Sequence, residues 1–111
     1  MNYYFYHASE LLYLKLNSSN LEIILNWARN FMSPDIKISA IKSRSLKQDL
    51  VFTRYLYMKY AKENTRYTLE KIGKFVNRDH ATVLHGINTI NNEVELSKLY
   101  TDFTKYICSS H

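Results

Sequence analysis

Glycine and proline are scarce in this chain, two and one in 111 residues. β-sandwiches and barrels use both at their many turns, so the scarcity argues against that class and for helices. Two isolated glycines, Gly73 and Gly86, cannot form a glycine-rich loop around phosphates. No nucleotide site is therefore expected, and the sequence suggests no other cofactor. The lone Cys108 cannot close an internal disulfide. A reducing, cytoplasmic setting follows as the expectation. Long apolar runs are missing too. The start, MNYYFYHASELLYLKL, has no basic leader and carries His7, Glu10 and Lys15 inside its apolar stretch. It suits neither a signal peptide nor a membrane span. Internal repeats and low-complexity tracts are absent.

What is present fits one soluble domain with a modest core. The chain is 46% hydrophobic and 23% charged, and its 14% aromatics are mostly tyrosine. Its formal charge of +5 is unevenly placed. Residues 37–90 hold eleven bases against four acids, a net +7, while residues 1–36 and 91–111 each hold two bases against three acids, a net −1. A basic middle attracts polyanions, nucleic acid first and anionic membrane surfaces second. A merely solvated basic face remains open on charge alone.

Hydrophobic spacing predicts helices throughout. The first falls within residues 7–16. The second follows Ser19, whose spacing to Glu22 fits a capping box, and Ser33-Pro34 ends it. Leu21, Ile24, Leu25 and Ala28 share its apolar stripe, with Trp27 assigned to the core. Residues 35–45 read as a short helical turn and a basic loop. A long helix is expected from about Leu46 to Glu63, with Ser45 and Gln48 as a second capping box and Arg54 as the polar interruption of its apolar rhythm. A short helix follows from Leu69 to Lys74 or Phe75, with Thr68 as N-cap. Asn77 tolerates a left-handed turn conformation. Asp79 then caps a helix running to about Glu95, with Val83, Leu84, Ile87 and Ile90 buried. The last helix, about 97–108, buries Leu99, Phe103 and Tyr106 or Ile107.

A short helix, a tight turn and a longer helix make a helix-turn-helix. The second helix of such a pair enters the major groove and presents its N-terminal residues to base edges. Here those residues are Arg78, Asp79, His80 and Ala81. Helix pairs of this kind also occur in proteins that never meet DNA.

The segment TLEKIGKFVNRDHATVLHGINTI, residues 68–90, resembles the signature of domain IV of the bacterial replication initiator DnaA. The family's form is Leu-x-x-Ile-Gly followed by Gly-Gly-Arg-Asp-His-Thr-Thr-Val-Leu-His. The segment KQDLVFTRYLYMKYAKENT, residues 47–65, is similar to the long helix before it, with the family's Arg on Arg54. The resemblance covers about residues 20–108. It implies an all-α, Trp-repressor-like fold and sequence-specific binding of double-stranded DNA at DnaA-box-like sites. By the same resemblance Asp79 and His80 reach base edges, Arg78 contacts the backbone, and Ala81 offers a methyl where the family has Thr. Thr82, His85 and Lys62 contact phosphates. The family's minor-groove Arg falls on Leu46, so Arg44 or Lys47 must substitute. The Gly-Gly turn is replaced by Val76-Asn77. The family's ATPase domain has no counterpart, so a stand-alone module is expected. Residues 1–19 form an extension without counterpart, and residues 20–111 the domain.

Enzymatic activity is not expected: Asp79 beside His80 lacks a nucleophile and a third group. His80 and His85, five apart, do not share a helix face as metal ligands would. The tyrosines read as core and rim rather than base-stacking platforms. Two functions stand against each other. One is a DNA-binding regulator of replication or transcription, acting as a monomer. The other is a protein-interaction domain that keeps the fold and binds a partner through its aromatic N-terminus. ATP or ADP with magnesium is expected to leave the melting temperature unchanged, because only ligands of the native state raise it. A reproducible rise in a thermal-shift measurement would reveal a nucleotide site.

Overall fold

One helix of this fold has almost no side free for water, and the others are arranged around it. The computed structural model describes residues 20–110. The expected helix within 7–16, the Ser19 cap and the proposed extension 1–19 lie outside the described residues. Six helices follow in order among those described: α1 Asn20–Met32, α2 Ile38–Ile41, α3 Gln48–Asn64, α4 Leu69–Phe75, α5 His80–Asn92 and α6 Val94–Ser110. None is both long and apolar enough to cross a membrane.

The central helix is α3. Leu50, Thr53, Arg54, Leu56, Tyr57, Met58, Tyr60 and Ala61 are buried around its circumference. α1 covers it with Leu21, Ile24, Leu25, Trp27 and Ala28, and α5 with Val83, Gly86 and Ile90. Aromatic edges lock the layers: Trp27 meets Tyr60 at 6.1 Å between ring centroids, and Phe103 of α6 meets Tyr60 at 5.7 Å. The Tyr57 hydroxyl donates to the Ile72 carbonyl at 2.7 Å, tying α4 to α3. Burial pushes that phenol well above its ordinary value.

Several boundaries differ from the sequence expectation. α3 starts at Gln48, not Leu46, because the Ser45 hydroxyl accepts from the Lys47 amide in a tight turn. No side chain caps that helix, so the second capping box does not form. α5 stops at Asn92 because Glu93 turns extended, and α6 starts three residues early at Val94. Leu84, expected in the core, is 48% exposed. Gly86 occupies the seam instead, and the stripe Val83–Gly86–Ile90 turns Leu84 outward.

Both glycines sit where helices nearly touch. A Cβ on Gly73 would lie 2.6 Å from the Arg78 carbonyl oxygen and 2.8 Å from a Val83 methyl. One on Gly86 would lie 2.6 Å from the Tyr55 ring. At Gly73 the nearest obstacle is backbone, which cannot step aside. Gly73→Ala is therefore expected to destabilise by about 1–3 kcal/mol, despite alanine's better helix propensity. Urea unfolding checks this; an unchanged midpoint would mean that the turn moves freely.

Candidate nucleic-acid interface

The turn between α4 and α5 is built by its own backbone. Thr68 caps α4 by accepting from the Lys71 amide. At the other end the Arg78 amide donates to the Gly73 carbonyl at 2.8 Å and the Asn77 amide to the Lys74 carbonyl at 3.0 Å. This paired closure requires a left-handed residue between, and Asn77 supplies it with φ 61°. Asp79 caps α5, its Oδ1 accepting from the Thr82 amide at 2.8 Å. That amide hydrogen bond, more than any other influence, holds the Asp79 carboxyl below its usual range.

The first turns of α5 then show two faces. Asp79, His80, Ala81, Leu84 and His85 are exposed, Thr82 is half-buried, and Val83 and Gly86 are buried. His85 stands edge-on to Tyr55, with ring centroids 6.2 Å apart. The His80 and Ala81 side chains point away from the core with nothing to fill in the protein itself.

A second element lies beside this helix. The loop after α2 exposes Arg44, Leu46 and Lys47, with Leu46 80% accessible. Its base is clamped. Buried Arg54 donates through Nε to the Ile41 carbonyl at 2.7 Å and through Nη2 to the carbonyls of Ala40 and Ser43 at 3.3 and 3.2 Å. Arg78 Nη2 donates to the same Ser43 carbonyl at 2.7 Å, and Asn77 Nδ2 to the Lys42 carbonyl at 3.0 Å. The loop is thus fastened to the central helix and to the helix-turn-helix turn at once. Burial first, and then the charge of Arg78, push the Arg54 guanidinium below its ordinary value. The C-terminal carbonyls of α2 favour that cation.

Of the nine residues singled out from sequence, the structure gathers Arg78, Asp79, His80, Ala81, Thr82 and His85 on the turn and the first turns of α5. Arg44 and Lys47 lie on the clamped loop. Lys62 is exposed but stands apart. Lys59, one turn before it, reaches Asn91 at the far end of α5 from His80, at 2.8 Å. The Arg78 guanidinium is half-buried against the carbonyls of Val76, Asn77 and Ser43. Sequence reasoning missed the clamp. Arg54 carried the signal, as a charge inside an apolar stripe, but a carbonyl such as that of Ser43 leaves no mark in a sequence.

A family model for the bacterial DnaA protein helix-turn-helix matches residues 32–90, more than half of the chain. The chain belongs to this family. It is similar to the chromosomal replication initiator protein DnaA of Bacteroides thetaiotaomicron, 42% identical over 67 residues, which are 60% of this chain and 14% of that protein. It is similar to the DnaA of Bacteroides fragilis, 43% identical over 65 residues, 58% of this chain and 14% of the relative. With the DnaA of a serotype Ia strain of Streptococcus agalactiae it shares 45% identity over 60 residues, 53% of this chain and 13% of the relative. The matched stretch is thus about one seventh of the length of these relatives. No solved structure gave a significant match. The described residues form an all-α, DnaA-like DNA-binding helix-turn-helix domain.

The clamp makes a prediction for this family member. Arg78→Ala removes a charged donor from the Ser43 carbonyl and is expected to destabilise by about 1.5–3 kcal/mol. Amide hydrogen exchange in residues 43–47 should speed up more than in α6. Uniform acceleration across the chain would show that Arg78 stabilises the fold without holding the loop.

Proposed function

We propose that this domain binds duplex DNA sequence-specifically, as a monomer on an asymmetric site of the DnaA-box kind. The observation that carries the reading is the pair His80 and Ala81, exposed on the first turn of α5 while Val83, Gly86 and Ile90 anchor the helix from behind. A helix held this way can enter a major groove with its N-terminus leading. His80 and Asp79 read base edges. Ala81 packs on a thymine methyl. Thr82, His85 and Lys62 contact phosphates, Lys62 at some distance along the duplex. Arg78 adds positive charge at the backbone while it holds the loop. Arg44 and Lys47 enter or flank the neighbouring groove. The relatives are chromosomal replication initiator proteins, which supports a part in replication, with transcription control as the related alternative. The domain does this without nucleotide and without catalysis.

Substitution at the reading helix tests the proposal. His80→Ala is expected to weaken binding to the preferred site by about 1–3 kcal/mol and to leave random duplex nearly unchanged. Lys62→Ala should weaken both alike. Equal losses on both DNAs for His80→Ala would remove the base-reading role. In the same titrations, native mass measurement on a duplex of about ten base pairs, one helical turn, should find one chain per site. A complex containing only two chains would contradict the monomer reading.

A further inference from the structure

A second group of cations lies beside the helix-turn-helix turn. Lys42 at the end of α2, with Lys71 and Lys74 of α4, lines a cleft of about 450 Å³ together with Phe75 and Asn77. Among the described residues no carboxylate lines this cleft. The Lys42 ammonium sits 4.3 Å from the centroid of the Phe75 ring. The ring holds the cation in place without neutralising it. Glu70 stands one turn before Lys74, at a spacing that suits an ion pair, yet the two do not meet. Among the described residues the ion pair found is Lys59–Glu63. Three lysines therefore line one opening without a counter-charge among the described residues. Their mutual repulsion is relieved by an anion with several oxygens.

The position of the cleft says where that anion comes from. Asn77 is shared: it lines the cleft, and its Nδ2 holds the Lys42 carbonyl. The next residues along the chain are Arg78, Asp79 and His80, the opening of the reading helix. α4 is the first helix of the helix-turn-helix, the one that crosses the backbone when the second lies in the groove. We infer that this cleft binds phosphate groups of the duplex backbone flanking the bases met by α5, with Lys42, Lys71 and Lys74 as ligands and Phe75 against the neighbouring sugar. This rests on the duplex-binding reading and extends it. The cleft supplies sequence-independent affinity, while His80 supplies discrimination.

Salt dependence tests it with the full chain. Each phosphate neutralised contributes about 0.9 to the slope of log K against log salt. Lys71→Gln with Lys74→Gln is expected to lower the slope by about 0.9 to 1.8. Affinity for the preferred site and for random duplex should fall by the same factor. Lys42→Gln should act in the same direction, and Lys98→Gln, remote on α6, should leave the slope unchanged. Lys71 and Lys74 are exposed and Lys42 is half-buried against Phe75, and unchanged melting curves would show that the variants fold. If the native chain binds duplex DNA and the double variant keeps the native slope, the cleft serves some other anion, such as an acidic protein segment, and the inference fails alone. Specific-site affinity falling while random-duplex affinity holds would likewise overturn it. If the native chain binds no duplex at all, both the inference and the proposed function fall.

Discussion

The carbonyl oxygen of Ser43 accepts hydrogen bonds from two arginines that belong to different parts of the fold. Arg54 comes from the buried central helix, and Arg78 from the turn that opens α5. One acceptor thereby joins the basic loop to both. Without that junction the loop would be a free excursion between α2 and α3. With it, Arg44 and Lys47 are held in a defined relation to His80. The proposed contact with two grooves requires loop and helix to be held at a set separation, because the geometry of the duplex is given. Two like charges at one carbonyl repel, and burial adds to the cost for Arg54. The arrangement is offset by five carbonyls that share the two guanidinium groups.

The rest of the architecture supplies the anchor. Tyr57 joins α4 to α3 through one buried hydroxyl. Gly86 lets α5 lie directly against Tyr55 and Met58, and Gly73 lets α4 lie against the turn and Val83. Tyr55, which lies against Gly86, also orients His85. Packing and presentation are thus one set of contacts: the surface that buries the back of α5 decides which side chains stand at its front.

Much of this was legible in the sequence. The caps Thr68 and Asp79 accept the bonds their spacing implied, and Asn77 takes the left-handed turn that few other side chains tolerate. The motif around Arg78 to His85 marked the family. Other features were not legible, for physical reasons. Periodicity counts apolar side chains, so it placed Leu84 in a seam that a glycine occupies. Ser45 bonds its own turn rather than a helix end, and spacing alone does not separate the two. Lys42 is distant in sequence from Lys71 and Lys74, and only the fold brings them to one cleft. The aromatic stretch 1–19, on which the protein-interaction reading depended, lies outside the described residues.

On the proposed reading the basic loop and α5 meet DNA as one unit. Titrating the isotopically labelled chain with a single-site duplex, and following its backbone amide resonances, addresses this directly. Residues 44–47 and 78–85 should shift together, with one midpoint and one chain per duplex, while the exposed face of α6 stays unmoved. Shifts confined to α6, or loop and helix responding at different DNA concentrations, would contradict it.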